Sequence, residues 1–571
     1  MKSQHWWQDA VVYQIYLRSF ADSNGDGVGD LEGIRSRLDH FAEMGVEPHW
    51  LNPNYTSTQS YHGYDLKDYL GIHDEYGDLA TFDALLADAR DHDIKILMDL
   101  VPNHCSNDHA WFQAALASPA DSAERARFYF RDGQPSDDGS DPHGNPPNNW
   151  LAAFGGSAWT RVGDEAQWYL GTFTPHQPDF DHTNADVQAM FAAVLEFWFD
   201  RGVEGFRVDA IAPVGKEPSL PDQPPVAPGI GPLQVPWENP HTVFHAAGHD
   251  VWRQFRTTVD AYMERHPGRD LMMVAEAYMN GRPDLMAAFV NAEQFHLAFA
   301  FDLLLSPWHP EQLDRAIRDT LEVMKIGSSP TWTLNNHDVQ RVVTRLGRAS
   351  ATDPNSVSNN ALEYVNADID VELGLRRARA LITLAMAMPG TIYLYQGEEL
   401  GLPEWLDMPD EAREDPVFLN PERPGIGRDG CREPIPRTDD PSTSFGFSSV
   451  GNDESPAAPW LPQPEWWGAH AVDELDGDDT SILELYRAVI AARNDHATPQ
   501  GLVAAVIDLG DGLTAVRRGD LVAVTNVTME PLALDLDDDH LEIATPVFAS
   551  EPGEMHTPGV IPPNSTIWFV S

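Results

Sequence analysis

The sequence predicts an α/β protein: a parallel (β/α)8 TIM barrel with an inserted small domain after the third strand and a C-terminal antiparallel β domain. Three observations lead there. Eight short apolar runs recur along the chain, amphipathic segments separate several of them, and polar residues cluster directly after the runs. A short apolar run bounded by turn signals reads as a strand buried on both faces. Strand–helix alternation implies a parallel sheet, and eight such units close a barrel whose functional groups gather at the strands' C-terminal ends.

The runs, in order, are AVVYQIYLRSF (10–20), GVEPHWLNP (45–53), KILMDLVPNH (95–104), GFRVDAI (205–211), LMMVAEAY (271–278), the weaker FHLAFAFDL (295–303), PTWTLNNHD (330–338) and GTIYLYQGEE (390–399). Between them, TFDALLADARDH and ADVQAMFAAVLEFWFDRG place apolar residues at helical spacing. Residues 1–104 and 176–495 are assigned to the barrel. Residues 105–175, rich in Pro, Gly, Asn and Trp, are too long for a plain connection and form the inserted domain. Residues 212–250 and 403–470 read as long loops beside the site. From 496 to 571 short alternating strands form the C-terminal domain. Trp6, Trp7 and Trp198 are core candidates, and Trp150 and Trp159 are candidates to line a cleft.

Composition narrows the function class. Lys+Arg is 37 against Asp+Glu 89, a formal net charge of −52. Such a surface repels nucleic acid and anionic membrane, so neither is expected as a partner. No apolar run approaches the length of a membrane span, and the N-terminus lacks a signal-peptide core, so a cytoplasmic protein is expected, a monomer or a homodimer. The acidity fits both a salt-adapted proteome and an ordinary acidic enzyme. Cys105 and Cys431 are expected as free thiols.

Three carboxylates follow three of the runs: Asp209 closes GFRVD, Glu276 closes LMMVAE, and Asp338 closes TWTLNNHD. Converging strand exits would supply a nucleophile, a general acid and a third charge, the requirement of retaining glycoside hydrolysis. Arg207 lies two residues before Asp209 and so shares its face, where it can hold the carboxylate ionised. DLVPNH (99–104), GFRVDAI, EAY (276–278) and NNHD (335–338), together with HGYD (62–65), QPDF (177–180) and PGTIYLYQGEE (389–399), resemble the signature regions of the α-amylase superfamily, glycoside hydrolase family 13. GNPPNNWLAAFGGSAWT and GRDGCREP (427–434) are similar to its α-glucosidase/oligo-1,6-glucosidase branch.

The resemblance implies Asp209 as nucleophile, Glu276 as general acid and Asp338 as transition-state stabiliser. It also implies substrate contacts from His62, Tyr64, Asp65, His104, Arg207, His337 and Arg432. Asp99 is expected to make structural hydrogen bonds. The substrate expected is a small α-glucoside, with an α-1,4 leaning from Ala210 beside the nucleophile. A transglucosidase or an isomerase such as a trehalose synthase stays open on the same scaffold.

DSNGDGVGD (22–30) places Asp22, Asn24, Asp26 and Asp30 at alternate positions among glycines, as in loops that wrap Ca²⁺. The resemblance implies a structural Ca²⁺ or Mg²⁺ there, with the Val28 carbonyl as a further ligand, and no organic cofactor. One departure stands out. The branch usually carries an Asp that pairs with an arginine like Arg432, and Tyr61 occupies that place, leaving Arg432 without its expected partner.

Overall fold

The computed structural model describes residues 5–227, 234–354, 368–419, 426–449, 456–534, 545–551, 553 and 559–570. Eight parallel strands form its central sheet: β1 (Val11–Ile15), β2 (Pro48–Leu51), β3 (Lys95–Leu100), β4 (Gly205–Val208), β5 (Met272–Ala275), β6 (Leu297–Ala298), β7 (Thr331–Thr333) and β8 (Thr391–Tyr395). Their order is β6-β5-β4-β3-β2-β1-β8-β7. The seam between β6 and β7 is bridged by a side chain: the Thr331 hydroxyl donates to Ala298 O (2.7 Å) and accepts from Ala300 N (2.9 Å).

Alternation along these strands positions the site. Val12, Trp50, Leu97, Met272, Val274 and Tyr393 pack together inside the barrel, whereas Val11, Tyr13, Leu51, Ile96, Met98, Phe206, Val208 and Met273 join the outer core. Successive side chains of a strand point to opposite faces. Continuing the inward parity to the strand ends selects Gln14, Asn52, Asp99, Arg207, Asp209 and Glu276. Apolar residues thus fill the barrel floor, and polar ones line its rim.

The helices follow ordinary chemistry. α1 (Leu79–Asp91) starts where the Asp78 carboxylate accepts from Thr81 N, and α2 (Ala185–Arg201) starts at Asn184 and ends at Gly202, whose φ is 119°. Trp198 on α2 is fully buried and Trp7 is buried, as expected for core residues. Trp150 and Trp159 correct the cleft expectation: both are buried in a small apolar cluster with Tyr129, Leu170 and Leu220. Their indole N–H groups donate to Pro221 O and Asn148 Oδ1. Aromatic type does not reveal burial.

Between β3 and β4 the chain builds a helix (Ala110–Ala117) and a three-stranded antiparallel sheet of Phe130–Asp132, Gln167–Leu170 and Trp159–Arg161. Its return passes Asp179, which forms a wholly buried ion pair with Lys216 at 2.8 Å. A second excursion, not foreseen from sequence, follows β2. Tyr55–Ser57 and Leu66–Ile72 pair as an antiparallel hairpin whose turn carries Tyr61–Asp65. After α3 (Val371–Ala387), α4 (Ile482–Ala492) leads to a five-stranded antiparallel sheet, β9 (Ala505–Ile507), β10 (Leu513–Arg518), β11 (Leu521–Asn526), β12 (Thr545–Ala549) and β13 (Ser565–Val570). This sheet lies against α3, where Trp568 donates to Thr383 O and Thr566 to Ala380 O. Asp9, before β1, receives buried Arg493 (2.6 Å) from the end of α4 and buried Arg518 (2.8 Å) from β10. Cys105 and Cys431 are buried free thiols. Among the described residues no helix is long and apolar enough to cross a membrane.

Candidate active site

Arg207 is the hub of the rim. Its Nη1 donates to Asp209 Oδ1 (2.5 Å) and to both oxygens of Asp99 (2.8 and 3.0 Å), and its Nη2 lies 3.8 Å from Glu276 Oε2. The guanidinium sits 5.1 Å above the Trp50 ring and 5.9 Å from Tyr64. Trp50 faces inward and is therefore the support of the cation. Asp99 is wholly buried and accepts from Tyr64 Oη at 3.1 Å, the structural role expected of it.

Ala210 follows Asp209 in a left-handed conformation, φ 44°, rare for a residue with a Cβ. That turn directs its N–H to Glu276 Oε2 at 2.8 Å. The chain just past β4 thus ties the two carboxyls together. Burial raises both Asp209 and Glu276 to about 7, and Arg207 opposes the rise. Arg207 touches Asp209 directly and reaches Glu276 only at long range, so its charge favours the ionised form of Asp209 more strongly than that of Glu276. Burial likewise raises Asp99, to about 6, against the same guanidinium.

Asp338, from the loop after β7, has a different setting. Burial would raise its carboxyl, yet the charges of Arg428 and Arg432 hold it well below the usual carboxylate range. Arg428 Nη1 is 2.7 Å and Arg432 Nη2 3.0 Å from its Oδ1, and His337 Nε2 is 3.3 Å from its Oδ2. Arg432 also donates to His337 O at 2.8 Å. The arginine that the sequence left without a partner is therefore paired, with Asp338. Arg428, which sequence reasoning missed, also grips Asp415 at 2.6 Å. The RDGCR spacing was the available signal: two arginines four residues apart within one loop.

His337 stacks on Tyr64, with centroids 5.7 Å apart and planes 3° apart, and burial holds it far below the usual imidazole range, hence neutral. Tyr61 finds its ring partner elsewhere. It stacks on Phe154 of the inserted segment at 6.1 Å, and the Arg428 guanidinium lies 5.8 Å from the centre of the same Phe154 ring.

Asp209, Glu276, Asp338, Arg207, Tyr64, His337 and Arg432 thus form one connected cluster. Other expected residues stand differently. Asp65 is buried in its own turn, accepting from Thr58 Oγ1, Ser60 N and Tyr61 N, so its carboxylate shapes the loop that presents Tyr64. His104, lowered by burial to about 4, donates through Nε2 to Tyr64 O at 2.9 Å, so in this conformation it holds backbone. His62 accepts from Arg18 Nη1 at 3.0 Å and packs against Trp460.

The 22–30 loop is curled by its own side chains. Asp22 accepts from Asn24, Gly25 and Gly27 N–H groups, Asn24 from Asp26 N, and Asp26 from Val28 N. Asp30 caps the following helix through Gly33 N and accepts from Ser23. The donors are all oxygens, which fits a hard cation. Among the described residues no three acidic, histidine or cysteine side chains gather as a metal cluster.

Comparison with known proteins agrees with the geometry. Residues 14–501 match the family model described as the α-amylase catalytic domain. A probable α-glucosidase of Rhizobium meliloti (strain 1021) is 33% identical over 503 residues, covering 86% of this chain and 82% of that protein. The oligo-1,6-glucosidase of Parageobacillus thermoglucosidasius is 30% identical over 521 residues, covering 86% and 84%. Among solved structures, an α-glucosyl transfer enzyme superposes with a TM-score of 0.80 at 31% identity, covering 100% of both chains.

Proposed function

Because the chain belongs to the α-amylase family and is a glycoside hydrolase of the α-glucosidase type, we propose that it removes terminal α-glucosyl units with retention, leaning to α-1,4 bonds in maltose and short maltooligosaccharides. The observation that carries this reading is the arginine-centred pair: two carboxyls raised toward neutrality by burial, one of them ion-paired at 2.5 Å. Such asymmetry separates an acid from a nucleophile.

In the proposed mechanism Asp209 attacks the anomeric carbon as Glu276 passes its proton to the departing glycosidic oxygen, leaving a β-glucosyl ester on Asp209. Glu276, now a carboxylate, takes a proton from water. That water attacks the anomeric carbon, and the Asp209 carboxylate departs with retained α configuration. Asp338, fixed by Arg428 and Arg432, stabilises the oxocarbenium-like charge between these steps. Tyr64 supplies a face for the glycone, and neutral His337 donates to a sugar hydroxyl.

A panel of maltose, isomaltose, sucrose, trehalose and maltooligosaccharides, with product anomers followed by NMR, tests the reading. Release of α-glucose from maltose is expected. Oligosaccharide release from end-blocked maltoheptaose would overturn exo action, and β-glucose would overturn retention. Glucosyl transfer, favoured by the likeness to a transfer enzyme, would appear as new oligosaccharides or isomers at high maltose. The 22–30 loop is proposed to hold a structural Ca²⁺ or Mg²⁺ through Asp22, Asn24, Asp26, Asp30 and the Val28 carbonyl, with no part in the chemistry. A cytoplasmic location is proposed on the two buried free cysteines.

A further inference from the structure

We propose that Gln14 and Asn52 are positioning residues that lock His337 in its Nε2–H tautomer, so that the imidazole offers the glycone a donor and never an acceptor. The inference rests on the reading of His337 as a group that faces sugar. Four side chains from different parts of the barrel rim close a ring of hydrogen bonds. Gln14 Nε2 lies 2.9 Å from Asn52 Oδ1 and 2.8 Å from His337 Nδ1. Asn52 Nδ2 is 2.8 Å from Tyr64 Oη, and Tyr64 Oη is 2.8 Å from His337 Nε2. Gln14, Asn52 and His337 are buried, so water does not substitute for a mismatched partner.

The direction of every bond follows from one fixed point. Asp99 is paired with Arg207 through both carboxylate oxygens and is an acceptor. The single hydroxyl hydrogen of Tyr64 therefore goes to Asp99 Oδ2, at 3.1 Å. Tyr64 Oη must then accept from its other two neighbours, Asn52 and His337. Asn52 presents its NH2 to Tyr64, so its carbonyl faces Gln14. Gln14 must answer with its NH2, whose second hydrogen meets His337 Nδ1. That nitrogen carries a lone pair, and the ring proton sits on Nε2.

The reversed circuit fails on count. It would need the one Tyr64 hydrogen for Asp99, for the Asn52 carbonyl and for His337 Nε2 together. Burial keeps His337 neutral, so a choice of tautomer exists and something must make it. The Nε2–H is shared between Tyr64 Oη and Asp338 Oδ2, 3.3 Å away. A sugar hydroxyl arriving beside Asp338 meets that N–H as an acceptor and can donate its own hydrogen to the carboxylate. With the opposite tautomer, an imidazole lone pair and Asp338 would compete for one hydroxyl hydrogen, and the sugar oxygen would lose its donor. The same lock explains the polar residues at 14 and 52 at the inward ends of β1 and β2, where neither touches the three carboxylates.

The test uses the full-length protein labelled with ¹⁵N-histidine, with the His337 resonances assigned by their loss in His337→Gln. The wild-type spectrum is expected to show a protonated Nε2 and an unprotonated Nδ1, and Nδ1–H in the wild type would overturn the proposal outright. In Gln14→Glu the carboxylate can only accept, so the proton is expected to move to Nδ1. kcat/KM for p-nitrophenyl α-glucoside should then fall about 10- to 100-fold, the loss of one well-made hydrogen bond to the transition state, chiefly in kcat. Asn52→Leu, which breaks the ring without adding charge, should give a mixture of tautomers. A Gln14→Glu protein that folds and keeps Nε2–H would refute the lock, because a merely structural glutamine would change the melting temperature and not the tautomer. Absence of hydrolysis by the wild type on every α-glucoside would remove the catalytic reading while leaving the spectroscopic outcome decidable.

Discussion

Replacing Arg207 with methionine removes the cation that touches both Asp209 and Asp99 and leaves a shorter, unbranched and uncharged side chain. Arg207 stands 2.5 Å from Asp209 and 3.8 Å from Glu276. A unit charge at about 4 Å contributes about 4 kcal/mol at an effective dielectric of about 20, equivalent to a shift of about 3 pKa units. Burial already places the Asp209 carboxyl at about 7 with Arg207 present. Without the cation it would remain protonated through neutrality, with only about 10⁻³ of the enzyme holding an ionised nucleophile at pH 7. In the unaltered enzyme kcat/KM should follow a bell centred near neutrality. Protonation of Asp209 lowers the acid side, and loss of the Glu276 proton lowers the alkaline side. In Arg207→Met the acid limb should move upward, so that kcat/KM for p-nitrophenyl α-glucoside drops about 10³-fold at pH 7 and recovers as pH rises toward 9. The variant also strands Asp99, so its folding needs checking by thermal melting. Arg207→Lys retains the charge without the fork and should lose far less. A loss equal at every pH from about 6 to 9 would show that Arg207 acts through geometry alone, and the pKa argument would fall.

Three further outcomes follow from contacts elsewhere. Arg428→Gln removes one of two guanidinium groups on Asp338 and the partner of Asp415; kcat should fall about 10- to 100-fold with less change in KM, read by steady-state kinetics on maltose. Chelation with EDTA should lower the melting temperature by several degrees without abolishing turnover, since no catalytic step is assigned to a cation, and calorimetric titration should show Ca²⁺ or Mg²⁺ restoring it. Asp9→Ala leaves buried Arg493 and Arg518 without their shared carboxylate and should cost about 3–5 kcal/mol in a urea melt, or show as a stepwise unfolding of the C-terminal sheet.

How far the fold could be read from the chain depends on how local each signal was. Val12 and Gln14, Leu97 and Asp99, Arg207 and Asp209, and Val274 and Glu276 each share a face through the strand period of two, so apolar runs ending in polar or charged residues mark the rim in the sequence itself. The hairpin after β2 was not legible, because NYTSTQSYHGYD reads as turn-rich loop and its pairing needs a partner strand eleven residues onward. Trp150 and Trp159 carried no mark distinguishing a sugar platform from a small apolar cluster. Arg428 was missed for a tertiary reason: its meaning depends on a long loop folding back onto Asp338. The partner of Arg432 is not legible from the residue at position 61, since the Tyr61 ring stacks on Phe154 while Asp338 pairs with Arg432.

The most direct measurement is to trap the covalent species. Wild-type enzyme incubated with a fluorinated α-glucosyl fluoride, digested and analysed by mass spectrometry, should carry one glucosyl unit on the peptide containing Asp209, and Asp209→Asn should carry none. A label on Glu276 or Asp338, or steady turnover to β-glucose with no adduct, would contradict the assignment of Asp209 as nucleophile and Glu276 as its acid.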